Sequence, residues 1–139
     1  MNSVVTIETS GAGLYEFTDE VTRFVRECSA GEALLTLFVQ HTSCSLLIQE
    51  NADPDVRRDL NEFFHRFAPP SDDESMAWVR HRSEGPDDMP AHIKAAVLPV
   101  SLSIPVIDGR LMLGTWQGVY LFEHRRAAQR RKVILKITG

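Results

Sequence analysis

Between Val4 and Ile137 the sequence carries about eight short runs of apolar and β-branched residues, separated by glycine, proline and small polar residues. Only two stretches show the three-to-four-residue apolar spacing of a substantial helix. A chain so patterned builds mixed or antiparallel sheets with a few helices laid on them, an α+β domain. Its 139 residues are 43% apolar with no break in composition, which predicts one core and a single domain over residues 1–139.

The strands and helices can be placed one by one. Val4–Glu8 alternates, and Gly11 and Gly13 turn the chain toward Tyr15 and Phe17, an opening pair of strands. A helix follows, with Thr18 as its cap, Asp19 and Glu20 in its first turn, an apolar stripe of Val21, Phe24, Val25 and Cys28, and Gly31 as its stop. Ala33–Gln40 is a dense apolar run that predicts a strand buried on both faces, and Cys44–Gln49 a second strand. Asp53 caps the next helix, Pro54 takes its first position, Val56, Leu60, Phe63, Phe64 and Phe67 form its stripe, and Pro69-Pro70 ends it. Residues 71–90 predict a long loop, Ala91–Leu98 about two helical turns, and Val100–Ile107 a strand. Asp108-Gly109 then makes a hairpin into Arg110–Leu113, and Val119–His124 and Val133–Ile137 complete the strands.

Charge and hydropathy exclude several classes of function. A formal net charge of −4 argues against a phosphate-backbone partner, so no nucleic acid is expected, and the basic cluster Arg125, Arg126, Arg130, Arg131 and Lys132 predicts a solvated turn. No apolar run approaches the roughly 20 residues that a bilayer requires, so no membrane partner is expected. The N-terminus shows no basic segment ahead of an apolar one, which points to the cytoplasm. Cys28 and Cys44 predict free thiols, with Cys28 in the core.

Three stretches place ionisable or small polar residues where packing alone would not ask for them. The first runs from His41-Thr42-Ser43 at a strand break to Asn51 and Asp53, and its imidazole and hydroxyls suit phosphate or metal, or satisfy backbone ends. The second, residues 84–94, sets Asp87 and Asp88 before a helix whose first turn holds His92, an imidazole kept neutral by the helix dipole and able to bind metal. Equally, Asp88 is in place to cap that helix. The third brackets Thr115-Trp116-Gln117 between Gly114 and Gly118, a bulge beside a cavity, and leads to His124 and Arg125; Trp116 itself is expected in the core or at a subunit contact. No single stretch has a metal-binding or phosphate-loop spacing, so any metal site must be assembled from distant segments. His65 and His81 are expected to be structural or surface residues.

At these same stretches the sequence resembles the YjbQ-like family: His-Thr-Ser at 41–43 with Gln-Glu-Asn-Ala-Asp-Pro at 49–54, Glu-Gly-Pro-Asp-Asp-Met-Pro-Ala-His-Ile-Lys at 84–94, and Gly-Thr-Trp-Gln-Gly at 114–118 followed by Glu-His-Arg at 123–125. The resemblance covers essentially the whole chain. It implies a homotrimeric α+β fold with a metal or anion pocket near the subunit contact. It also implies a thiamine-phosphate synthase activity, joining hydroxymethylpyrimidine diphosphate to thiazole phosphate with loss of pyrophosphate.

Carried onto this sequence, the resemblance makes His41, His92 and His124 a three-imidazole site for a divalent metal, zinc or magnesium, with Asp88 as a catalytic or supporting carboxylate. Thr42, Ser43, Asn51, Thr115 and Gln117 would hold a small phosphorylated metabolite, with Arg82 or Arg125 adding charge. Two other readings use the same pocket: a non-catalytic module that binds a metal or phosphorylated metabolite, and a metal-dependent hydrolase in which Asp88 or Glu50 moves the proton.

Overall fold

A computed structural model describes residues 1–139. In chain order the elements are β1 (Asn2–Thr9), β2 (Gly13–Glu16), α1 (Thr18–Cys28), β3 (Ala33–Val39), β4 (Cys44–Glu50), α2 (Pro54–Phe67), a 3-10 turn at Glu74–Met76, α3 (Asp88–Val97), β5 (Ser101–Ile107), β6 (Arg110–Leu111), β7 (Gln117–Glu123) and β8 (Gln129–Thr138). The strands form two antiparallel sheets, one of five in the order β1-β8-β3-β5-β6 and one of three in the order β2-β7-β4. The α+β expectation with about eight strands and two long helices is met, with α3 as a third helix.

The core lies where the two sheets and α1 meet. In β8 the period of two puts Arg131, Val133, Leu135 and Ile137 inside, while Lys132 and Lys136 face solvent. Leu35, Leu37 and Val39 of β3, Ile104 and Val106 of β5, Val119 and Leu121 of β7, and Val21, Phe24 and Val25 of α1 join them. Each such leucine contributes on the order of 2 kcal/mol through burial. β7, the middle strand of its sheet, is buried on both faces. Its Phe122 meets Phe64 of α2 edge-on at 5.5 Å, and its Tyr120 hydroxyl accepts from Arg57 Nη1 at 3.1 Å.

Several local expectations change for tertiary reasons. β1 and β2 do not pair with each other: β1 joins β8 and β2 joins β7, in different sheets. Thr18 opens α1 instead of capping it, and its hydroxyl accepts from Val119 N–H at 2.9 Å, tying the helix to β7. Ser29, in the left-handed region at φ 51°, ends α1 before Gly31 is reached. β3 is covered on one face only, leaving Leu34 and Phe38 exposed, because its sheet has no second layer on that side. Cys28 is half-buried, and Cys44 is the buried thiol. Trp116 is 63% exposed, not a core residue.

Other expectations hold. Asp53 caps α2 by accepting from Asp55 N–H at 2.9 Å, with Pro54 at the first position. Asp108 and Gly109 both take positive φ, 51° and 71°, as a two-residue hairpin turn requires. No helix is long and apolar enough to cross a membrane.

Candidate metal centre

The loop between α2 and α3 lacks long secondary structure, so something else must hold its path. Arg82 does so: its guanidinium donates to the carbonyls of Val79 at 2.8 Å, Ser71 at 3.0 Å and Met76 at 3.1 Å. Ser71 N–H adds a bond to the Pro86 carbonyl at 2.8 Å, and Gly85 supplies the turn at φ 101° that other residues rarely adopt. Arg82 is therefore spent on the loop and not free to bind a phosphate. The pinned loop delivers His81 to the start of α3, which begins at Asp88, three residues before the expected Ala91.

Asp88 and His92 stand four residues apart on α3, so their side chains share one face. The Asp88 side chain is almost wholly buried, yet each of its oxygens is engaged. Oδ1 accepts from Arg125 Nη1 at 2.6 Å, while Oδ2 faces His81 Nε2 at 2.6 Å and His92 Nε2 at 3.2 Å. Arg125 also donates to Asp87 Oδ2 and to the Glu84 carbonyl, both at 3.0 Å. Burial alone would raise the Asp88 pKa, but bonds from His81 and Glu84 and the charge of Arg125 outweigh it, so the carboxyl stays below its usual range and ionised. The hydrogen bond to Asp88 raises the His81 pKa.

His92 is fixed from its other side. Nδ1 lies 3.0 Å from the Thr42 carbonyl, which can only accept, so Nδ1 carries the proton. In neutral His92 the Nε2 lone pair then points at an anionic oxygen. Two lone pairs in that relation repel unless a proton or a metal ion lies between them. His81, Asp88 and His92 offer three ligand atoms within 4.8 Å of one another, an arrangement able to hold a metal ion.

The three imidazoles expected together, His41, His92 and His124, are not gathered. His41 and His92 border one shallow cleft with Thr42, but His41 Nε2 accepts from Lys132 N–H at 2.9 Å and is committed there, outside the cluster. Burial and then Arg131 lower its pKa. His124 is buried on another side of α3, its Nε2 bonded to Ser45 Oγ at 2.9 Å, and burial depresses its pKa to about 3. Ser43 Oγ accepts from Arg131 at 2.9 Å.

Asn51 and Gln117 lie at the opposite end of the three-stranded sheet. They belong with Glu16 and Gly114, where Asn51 donates to Glu16 Oε2 at 3.2 Å and Gln117 accepts from Gly114 N–H at 2.7 Å. β7 separates Gln117 from Glu123 by roughly 20 Å of extended chain, so within one chain Thr115 and Gln117 stand far from the cluster that Arg125 supports. A Cβ at Gly118 would come 2.5 Å from Glu16 Oε2 and 3.1 Å from Asn51 Cβ, so a larger residue there would require the Glu16 side chain to move. The basic cluster also differs from expectation, for Arg131 is buried in an ion pair with Glu123 and Arg125 is bound to two aspartates. Sequence reasoning missed His81; its one signal was a histidine seven residues before an Asp-x-x-x-His helix start.

Two antiparallel sheets with three helices define a small α+β domain, and in this chain the His–Asp–His cluster sits where the loop before α3 meets the start of that helix. The family profile described as "UPF0047 protein YjbQ-like" matches residues 3–139. UPF0047 protein sll1880 of Synechocystis is 46% identical over 136 residues, covering 98% of this chain and 90% of that protein. UPF0047 protein YjbQ of Salmonella typhimurium is 43% identical, covering 97% and 95%. A crystal structure of an uncharacterized conserved protein of the YjbQ/UPF0047 family from Clostridium acetobutylicum superposes with a TM-score of 0.86 at 33% identity, covering 98% of this chain and 99% of that one. The chain belongs to the YjbQ/UPF0047 family.

That membership corrects the expected activity. Relatives matching nearly the whole chain are described as UPF0047 or YjbQ proteins or as uncharacterized, with no reaction attached, so the thiamine-phosphate synthase assignment has no support in them. The imidazole set on which that reaction was placed is also divided between separate parts of the molecule.

Proposed function

We propose that this protein binds a divalent transition metal through His81, Asp88 and His92, and that the bound metal acts on a small molecule from a coordination position the chain leaves open. The observation that carries this reading is the bond from His92 Nδ1 to the Thr42 carbonyl, which aims the opposite nitrogen at the Asp88 carboxylate. A ligand histidine held at its far nitrogen by a backbone carbonyl is the common way of setting ring orientation at a metal. Two imidazoles and one carboxylate favour zinc or a neighbouring ion over magnesium, which prefers oxygen ligands.

Bond lengths of about 2.0–2.2 Å place tetrahedral ligand atoms about 3.3 Å apart. The His92 separation of 3.2 Å already suits this, and that of His81, 2.6 Å, would open by less than 1 Å. A metal so held supplies Lewis acidity. Arg125 keeps Asp88 ionised and oriented, and the partly exposed His81 and Glu84 leave the site open to solvent.

Metal content of the purified protein, measured beside His81→Ala, His92→Ala and His41→Ala, tests the proposal. The expected result is about one zinc per chain in the wild type, lost with His81 or His92 and kept without His41. Equal zinc in the wild type and His81→Ala, or loss only with His41, would exclude this ligand set.

The trimer implied by the resemblance belongs to the same proposal, and exposed Leu34, Phe38, Phe63 and Phe67 are apolar surface suited to a contact. A sedimentation mass of three times that of the chain would support it, and a monomer would exclude it.

A further inference from the structure

α3 carries a second polar grouping, on a face turned away from the His–Asp–His cluster. Pro90 and Lys94 share that face and border a cavity of about 90 Å³ together with Asp87, His65 of α2, His124 and Arg126. A space of that size admits a few waters or one small polyatomic group.

Two features of its wall are costly as they stand. Lys94 is 8% exposed, its stem covered while its ammonium reaches the cavity without an ion pair to any carboxylate. His124 is 2% exposed, and its Nδ1 has no partner at all. An orphaned ring nitrogen opposes folding unless something completes it, and a cation partly withdrawn from water gains from an anionic partner. The charge on the wall indicates what that is. The Asp87 carboxylate is already committed, its Oδ2 accepting from Arg125 Nε at 3.0 Å and Arg126 N–H at 2.9 Å. Lys94 and the guanidinium of Arg126 remain, so the unspent charge is positive. In the tautomer in which Ser45 Oγ donates to Nε2 of His124, the proton lies on Nδ1 and a second donor borders the same space.

We infer that this cavity is a binding site for a small oxyanion, a phosphate or carboxylate group, taken between Lys94 Nζ and His124 Nδ1 with Arg126 at the rim. An acceptor-only group with several lone pairs binds the Lys94 ammonium and, in that tautomer, completes the orphaned His124 Nδ1 at once. The cavity's volume limits the enclosed part to the anionic group itself, so a larger ligand would present only its charged end. The inference is independent of the metal proposal, since neither Lys94 nor His124 belongs to that cluster.

The test follows the side-chain nitrogen resonances of His124, and those of His81 and His92, while inorganic phosphate and, separately, acetate are added to the intact protein. Expected is a saturable shift at His124 with at least one of the two probes; phosphate alone points to a phosphate group, and acetate alone to a carboxylate. In Lys94→Met the effective probe should bind about tenfold more weakly or less, the loss of one charge-assisted hydrogen bond. Without added anion that variant should melt no lower than the wild type, because it loses a charge partly withdrawn from water that has no ion-pair partner. The wild-type titration stands by itself if the variant fails to fold. No shift at His124 with either probe, shifts confined to His81 and His92, or unchanged binding in a folded Lys94→Met would each overturn the inference.

Discussion

Glu123 closes β7 and Arg131 lies in β8, so the buried ion pair between them ties the three-stranded sheet to the five-stranded one. Glu123 Oε1 accepts from Arg131 Nε and from Thr9 Oγ1, both at 2.7 Å, while Oε2 takes the backbone N–H of His124 and Arg125, both at 3.1 Å. The same carboxylate therefore sets where the chain leaves β7 and where Arg125 begins its reach to Asp88.

Removing one partner of this pair strands a charge inside the protein. Glu123→Leu should cost about 3–5 kcal/mol, and Glu123→Leu with Arg131→Met should recover much of that loss, because no charge is then left unpaired. Urea unfolding of the two variants measures both; a double variant no more stable than the single one would contradict the pairing.

His124 makes stability depend on acid. Its folded pKa is about 3 against about 6.5 unfolded, so below pH 6.5 the unfolded chain takes up a proton that the native ring refuses. Its contribution is complete above pH 6.5 and falls by about 1.4 kcal/mol per pH unit as the pH drops toward 3. Denaturant unfolding between pH 7 and pH 4 should show a shallower slope for His124→Asn than for the wild type.

The two thiols should differ in reactivity. Burial pushes the Cys44 thiol up to about 12 and encloses it, whereas Cys28 is partly open to solvent. An aromatic disulfide reagent is expected to modify one thiol in the native protein and a second only in denaturant. Fast modification of both would show that the strand holding Cys44 opens readily.

Arg82→Met should loosen residues 71–90 by removing the donor for three carbonyls. A loss of about 2–3 kcal/mol in local stability is expected, seen as faster amide exchange in that segment with β7 and β8 unchanged. Zinc affinity should fall with it, since His81 stands on the segment Arg82 holds.

The sites were unequally legible in the sequence. Asp88 and His92 could be singled out as a carboxylate ahead of a helix start and an imidazole in its first turn, but that they share one face of α3 emerged only because the helix begins at Asp88. His81 could not, because it reaches Asp88 through a loop whose path depends on Arg82 finding carbonyls up to eleven residues away. Grouping His41 and His124 with His92 failed for a related reason. All three stand beside motif residues, but the course of β3 and β7 decides which way the rings of His41 and His124 point, and that is not written in the local pattern.

By itself the sequence determined the elements: the cap at Asp53, the turn at Asp108-Gly109, the number of strands and the α+β class follow from residue preferences and from periods of two and 3.6, which act over a few residues. Only the tertiary structure decided that β1 and β2 enter different sheets, that β3 keeps an open face, that Arg131 is buried against Glu123, and that His81 meets Asp88. Those outcomes turn on which surfaces lose water together and which charges find partners across the chain, and such pairings exist only once distant segments have met.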